Sequence, residues 1–411
     1  MTVAGIPVDF ILFASTLLGV AVFHRHTMAV ALTGLAAITA FKLAFGDFAG
    51  VAGGPGLAAL LAHEWVTLAN LLGLLLGFAL LAEHFERSGV PALLPRYLPD
   101  GWQGGFCLLL LVFFISSFLD NIAAAMIGGS MAGVLYRKRL HIGFLAAIVA
   151  ASNAGGSGSV VGDTTTTMMW IAGVRPGQVV EAYAAAVPAM LVFGVIAARQ
   201  QHALQPIMRD NPEGASFKPS RLAIVMLILL AAVCANVSFN LAAPAVLQQL
   251  PVMGLAVWVA ILLTAPWRRP DWSLLPQAFR GSVFLLALVL CAAMMPVKAL
   301  PPASWQSAFG LGFISAIFDN IPLTALALRQ GGYDWGFLAY AVGFGGSMIW
   351  FGSSAGVALC TMYPEARSVG AWLKGGWHVA VAYVIGFFVL LALLGWHPDP
   401  PASTASLLST P

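Results

Sequence analysis

"SNAGGSGSVVGDTTTTMM", residues Ser152–Met169, places glycines, hydroxyls, an amide and a carboxylate inside a long apolar stretch. The flanks, "FLAAIVAA" before and "WIAGV" after, are as hydrophobic as a membrane span. As one continuous helix the run 143–174 would measure about 48 Å at 1.5 Å per residue. The hydrocarbon layer is only about 30 Å thick. The run therefore reads as a broken helix, with the Gly155-Gly156 pair as the natural place for the break.

The rest of the chain fits that reading. Of 411 residues, 60% are hydrophobic and only 9% charged, where a soluble domain carries about 25% charged residues. This is the composition of an all-α polytopic membrane protein, and the lipid bilayer is its first expected partner. Cys107, Cys234, Cys291 and Cys360 lie singly in apolar runs and read as small core residues. The N-terminus lacks a basic stretch and carries Asp9, so the first apolar run is expected to be a true span and no cleaved leader. Nothing in the pattern points to nucleic acid.

Uninterrupted apolar runs occur near 5–23, 28–46, 65–85, 178–198, 221–239, 244–265, 282–297 and 372–395. The Gly- and Pro-containing segment 49–62 is expected at the interface. Four more runs carry polar interruptions, at 104–135, 143–174, 305–328 and 335–362. These come in two matched pairs. "SSFLDNIAAA" with Asp120-Asn121 matches "SAIFDNIPLTA" with Asp319-Asn320 at an offset of 199. "GGSGSVVGD" (155–163) matches "GGSMIWFGS" (345–353) at an offset of 190. Two ordered matches in interrupted hydrophobic runs imply an internal duplication. The expected halves are 1–198 and 221–396, joined by a cytoplasmic linker at 199–220 and followed by a tail at 397–411.

Charge placement chooses the topology. If 104–135 and 305–328 each cross the membrane, Lys and Arg divide 12 to 7 between the two sides. If both are re-entrant hairpins with Asp-Asn at the tip, 15 fall on one side, among them Arg25, Arg96, Arg209 and the run Arg137, Lys138 and Arg139. Only Lys42, Arg175, Lys298 and Arg329 fall on the other. The positive-inside rule selects the hairpins. The result is about ten transmembrane helices, two re-entrant hairpins, both termini outside and two halves of opposite orientation, which is a transporter architecture.

An Asp at the bilayer centre costs roughly 2.5–3.5 kcal/mol and is a functional hypothesis by default. Asp120, Asp163 and Asp319 all fall there, and no Lys or Arg lies within about ten residues of Asp163. Carboxylate, amide, hydroxyl and unwound carbonyl oxygens suit a hard monovalent cation. Desolvation favours the neutral form of a carboxylate, so such an acid also takes a proton. One acid that holds either a cation or a proton, never both, is a minimal antiport device.

Asp120 and Asp319 also read as caps for the second helix of each hairpin. Asn121 and Asn320 read as facing the site or stitching the hairpin to a neighbour. Asp163 could cap the half-helix that follows it, yet its repeat mate Ser353 would cap without a charge. The extra carboxylate therefore argues for ion or proton work. Thr164 and Thr165 begin that half-helix, and Ser152 and Asn153 are expected to end the one before it. Ser157, Ser353 and Ser354 complete the candidate ion- and proton-binding set. Sodium is expected at Asp163, Asn153 and Thr164. His63, Glu64, Glu83, His84 and Glu86 sit near span ends as secondary relay candidates, and His378 reads as packing. Met168, Met169, Met294 and Met295 read as core filler.

These residues resemble a known family. "SNAGGSGSVVGDTTTTMMWI" is similar to the signature of NhaD-type sodium/proton antiporters, in which an SNAGG run leads to GD, a threonine series and an MLWI-like tail. "SAIFDNIPLTA" resembles that family's second Asp-Asn hairpin, and "GSSAGVA" its second unwound region. The family lies in the ion transporter superfamily, beside arsenite pumps and sodium-coupled carboxylate carriers. The resemblance implies a scaffold domain, a mobile transport domain holding both hairpins and both broken helices, elevator-like movement, a homodimer and the inner membrane of a bacterium. The chain departs from the pattern after Gly156, where Ser157-Gly158-Ser159-Val160 replaces a Trp-Ser-Pro-like stretch.

The leading function is exchange of Na⁺ or Li⁺ for H⁺, with no cofactor and no enzymatic step. The main rival is a sodium- or proton-coupled carrier of citrate, another dicarboxylate or an arsenite-like oxyanion. The carboxylate branch resembles this chain but carries Ser-Asn-Thr at both unwound loops, where this chain has Ser-Asn-Ala and Ser-Ser-Ala and adds an acid. An intramembrane aspartyl protease is remote: "VVGD" lacks the first glycine of Gly-x-Gly-Asp, and "PAL" at 91–93 precedes the aspartate. "HEWVT" lacks the second histidine of a zinc protease.

Overall fold

A computed structural model describes residues 2–3, 5–23, 26–48, 50–93, 97–208, 216–247 and 249–398. Arg25, Arg96, Arg209, the middle of the expected linker (209–215) and all but the first two residues of the expected tail lie outside the described residues. The described chain is almost wholly helical. Its only sheet is a pair of two-stranded antiparallel ladders, Thr2–Val3 with Ile6–Pro7 and Asp47–Phe48 with Val51–Ala52. Among the described residues, five helical stretches are long and apolar enough to cross a membrane: Thr27–Phe45, Gly53–Glu86, Pro176–Leu204, Trp272–Ala293 and Trp377–Leu394.

The chain divides into two compact units, each drawing on both halves of the sequence. Unit 1 is Met1–Val90 with Ala215–Ala299, and unit 2 is Pro91–Gly214 with Leu300–Pro411.

Unit 1 is organised on the helix Gly53–Glu86. Its 34 residues make it about 51 Å long at 1.5 Å per residue. It begins inside the segment 49–62 that the sequence assigned to the interface, because Pro55 sits in its first turn, where a missing N–H costs nothing. Glycines set its packing. A Cβ on Gly73 would stand 3.0 Å from Cα of Gly254, so the two backbones cross in direct contact. Asn70 Oδ1 accepts the Gly254 N–H at 3.0 Å, and the Trp258 indole donates to the Gly73 carbonyl at 3.0 Å. Elsewhere in the unit, buried Lys42 donates to the Met294 carbonyl at 2.8 Å and pairs with Asp9 at 3.5 Å.

Unit 2 holds all four polar-interrupted runs. Trp102–Ser116 and Asn121–Leu135 form the first helix pair, and Trp305–Ser315 and Asn320–Gln330 the second. Ile142–Ser157 and Thr164–Ile171 form the first broken helix, and Trp335–Gly345 and Ser354–Met362 the second. Every residue from Gly143 to Ser157 and from Trp335 to Gly345 is buried. Helices covered on all sides form the centre of a unit, and these two position the polar breaks within it.

The first break corrects the expectation from the sequence. Gly155 and Gly156 remain helical, and the chain unwinds at Gly158–Asp163. The glycines serve close approach: a Cβ on Gly155 would overlap the Phe113 carbonyl, and one on Gly156 would stand 2.7 Å from the Gly162 carbonyl oxygen. Ser152 and Asn153 consequently lie within the helix, more than a turn before its end.

Candidate ion-binding site

The four helices that follow the polar interruptions each start at a polar cap. Asp120 accepts the Ile122 N–H at 3.2 Å and Asp319 the Ile321 N–H at 3.0 Å. Asp163 Oδ1 accepts the Thr165 N–H at 3.1 Å, and Ser353 Oγ accepts the Gly356 N–H at 3.3 Å. Each satisfies an N–H that the first turn leaves orphaned.

The contacts between pairs and broken helices recur at the two sequence offsets. Ser116 Oγ donates to the Ser152 carbonyl, and its counterpart Ser315 Oγ donates to the Val342 carbonyl at 2.7 Å. Thr164 Oγ1 donates to Asp120 Oδ1 at 3.5 Å, as Ser354 Oγ donates to Asp319 Oδ2 at 2.9 Å. The Gly155 overlap with Phe113 is mirrored by Gly345 against Gly312. In each half a helix pair is thus held to its broken helix by the same hydroxyl and glycine contacts.

The centre breaks this symmetry. Asn153 Oδ1 accepts from Asn121 Nδ2 at 3.0 Å. Its own Nδ2 donates to Ser347 Oγ at 3.0 Å and Ser353 Oγ at 3.1 Å. One buried amide so links the first pair and both broken helices. The position equivalent to Asn153 in the second half is Gly343. A Cβ there would stand 3.3 Å from Ser157 Cβ and 3.5 Å from Asp163 Oδ2. The missing side chain leaves room beside the carboxylate.

Asp163 is 2% exposed. Its cap uses Oδ1, and Oδ2 faces Asn320 Nδ2 at 3.4 Å. Among the described residues no Lys, Arg or His pairs with it. Next to it, Thr165 Oγ1 is buried beside the carboxylate and makes no well-aligned hydrogen bond among the described residues. Carboxylate and hydroxyl oxygens are the donor types a hard cation takes, and since the half-helix N-terminus favours anions, the negative charge of Asp163 would have to supply the attraction for a small monovalent ion.

The candidates sort into three adjoining groups. Asp163, Thr165 and Asn320 form one; Asn121, Asn153 and Ser353 form the second. Asp120 with Thr164, and Asp319 with Ser354, are the third, duplicated. Thr164 therefore sits with Asp120 and not with Asp163, because it leads its half-helix one residue beyond the cap. Ser152 and Ser157 bond back to the carbonyls of Val149 and Ala154. Thr166 and Thr167 each donate to the Asp163 carbonyl and to the unwound carbonyls of Ser159 and Val160, fastening the break. Ser347 and Gly343 were missing from the sequence-derived set. Ser347 was signalled by its match to Ser157, whereas nothing marked Gly343 among so many glycines.

No protein-family profile matches the chain. Curated relatives do align. Sodium/proton antiporter 1 of Arabidopsis thaliana is 25% identical over 348 residues, covering 74% of this chain and 58% of its own length. The Na⁺/H⁺ antiporter NhaD of Alkalimonas amylolytica is 27% identical over 358 residues, covering 71% and 69%. NhaD of Vibrio parahaemolyticus is 27% identical over 312 residues, covering 63% and 72%. The chain is similar to NhaD-type sodium/proton antiporters. It spans less than two thirds of the plant antiporter's length and just over two thirds of the bacterial ones. These alignments cover 63–74% of the chain.

Proposed function

We propose that this protein exchanges Na⁺ or Li⁺ for H⁺ across a bacterial inner membrane, with Asp163 as the shared site. The observation that carries the reading is the isolation of Asp163. A carboxylate inside an apolar unit is costly unless something neutralises it. No basic side chain among the described residues does so, which leaves a proton or a cation. Asn320 and the Thr165 N–H orient the carboxylate, and Thr165 Oγ1 adds a ligand oxygen for the cation. Binding of one ion removes the negative charge that attracts the other, so the two alternate.

Na⁺ and H⁺ are here the cargo. Unit 2 is the transport domain in this reading, since it contains both helix pairs and both broken helices, and elevator-like movement of a homodimer follows from the family resemblance. The 15-to-4 charge division and the recurring contacts support two inverted halves with re-entrant pairs.

The test is a pH-gradient assay in everted vesicles with Na⁺, Li⁺, K⁺ and then citrate, on wild type and Asp163→Asn. Proton movement triggered by Na⁺ or Li⁺ and lost in the variant supports the reading. Sodium-dependent citrate uptake without a cation response overturns it in favour of a carboxylate carrier.

A further inference from the structure

The end of unit 2 that carries the basic turn after Asn121–Leu135 holds a cavity of about 410 Å³. The turn displays three successive exposed cations, Arg137, Lys138 and Arg139, with Arg137 and Lys138 in the left-handed region at φ 48° and 61°. The next residues, Leu140, His141 and Ile142, line the cavity together with Leu204, Ala371 and Lys374. Gln201 ties the basic turn to this place: its Nε2 donates to the Arg139 carbonyl at 3.0 Å and its Oε1 accepts the His141 N–H at 2.7 Å. On the far side, a Cβ on Gly143 would overlap the Gly375 carbonyl. The helices starting at Ile142 and ending at Leu204 therefore converge on the segment Val369–Gly375.

Three features define what this cavity accepts. Leu140, Ile142, Leu204 and Ala371 make its aliphatic wall, and His141 and Gln200 are its polar side chains besides Lys374. Its one obligate cation, Lys374, forms no ion pair among the described residues, and no acidic side chain lines the cavity. It also lies where the apolar helix Ile142–Ser157 begins and Tyr183–Leu204 ends, and the ends of helices that span a membrane stand at the level of its headgroups. Aliphatic walls suit an acyl chain, and the unpaired ammonium with the Arg137–Arg139 run suits a phosphate.

We propose that this cavity is a binding site for an anionic phospholipid. The acyl chain lies against Leu140, Ile142 and Leu204, and the headgroup phosphate meets Lys374 beside the basic turn. The site is separate from the Asp163 centre and does not depend on the transport reading.

Native mass spectrometry of the purified full chain with phosphatidylglycerol and phosphatidylcholine of matched acyl chains tests it. Wild type should retain phosphatidylglycerol preferentially. Lys374→Met keeps the aliphatic stem and should weaken that retention about five-fold, the effect of one interfacial cation. Ala371→Trp fills the cavity with the charge intact and should abolish retention; Ala371→Leu replaces it if thermal unfolding shows the larger variant misfolded. Equal retention of both lipids, unaltered retention in the variants, or displacement of the lipid by millimolar inorganic phosphate overturns the proposal. The last outcome would mark a free-phosphate site instead.

Discussion

Asn320 Nδ2 stands 3.4 Å from Asp163 Oδ2, so a residue of the second Asp-Asn motif touches the carboxylate of the first broken helix. Its counterpart Asn121 reaches Asn153 instead. Both asparagines thus converge on the first broken helix, and of the two breaks only this one is capped by an acid, Asp163, where the other has Ser353. A hydrogen bond to a charged group contributes about 1.5–3 kcal/mol, and the length here argues for the lower end. Asn320→Leu should therefore raise the half-saturating Na⁺ concentration in the vesicle assay roughly ten-fold, with protein yield unchanged. An unaltered Na⁺ dependence would show that this amide does not orient the site.

Asn153 makes three side-chain hydrogen bonds in a fully buried position. Truncation leaves the Asn121 amide without its acceptor and the Ser347 hydroxyl without a donor, while Ser353 keeps the Gly356 N–H. Unsatisfied buried polar groups cost about 1–3 kcal/mol each. Asn153→Ala should lower the thermal unfolding midpoint clearly, and Ser347→Ala less, because Asn153 then keeps Ser353. The double variant should lose less than the sum of the two, since the partners are shared. Full additivity in a double-mutant cycle would argue against the shared link.

Much of this was legible in the sequence because caps and repeats are local. The fixed offsets paired Asp120 with Asp319 and Asp163 with Ser353, and all four cap helices. The place of the first break was not legible. Glycine permits both unwinding and close packing, and "GGSG" carries no mark of which is used. Only the Phe113 carbonyl, packed where a Gly155 side chain would go, reveals that the pair is helical for contact. Thr164 was hidden for a related reason. Sequence proximity to Asp163 suggested a shared ligand set, but the turn from cap to helix points its hydroxyl at Asp120. The two compact units were also invisible to local pattern, since each is assembled from segments separated along the chain by the other unit's residues and drawn together by packing alone.

His141 gives a pH dependence outside the apolar core. Burial holds its imidazole below the ordinary histidine range, and its Nδ1 accepts the Gly143 N–H at 3.1 Å as a helix cap. The folded chain therefore favours the neutral ring, and the unfolded chain binds the proton more readily. The stability from this cap is complete above about pH 6.5, the unfolded value. It is lost progressively as pH falls from there through the lower folded value. Asn caps without titrating. Thermal midpoints of wild type should fall more between pH 7 and pH 5 than those of His141→Asn. Parallel pH profiles would remove His141 from the account.

Gly343 decides how much room the cation has. A methyl group there would stand 3.5 Å from Asp163 Oδ2 and 3.3 Å from Ser157 Cβ, tight but without overlap onto backbone. The fold should accept Gly343→Ala, because the nearest neighbour is a serine side chain. Alanine is also the better helix former by about 1 kcal/mol. The carboxylate, however, loses the open side on which an ion larger than a proton would sit. Li⁺ is smaller than Na⁺, so the variant should lose Na⁺-driven proton movement more than Li⁺-driven movement, several-fold in the ratio of half-saturating concentrations. Thermal unfolding at or above the wild-type midpoint, measured on the same preparation, separates this from misfolding. An equal loss for both ions in a stable variant would place the cation away from the Gly343 side of Asp163, and the buried Thr165 hydroxyl would then mark the ligand side.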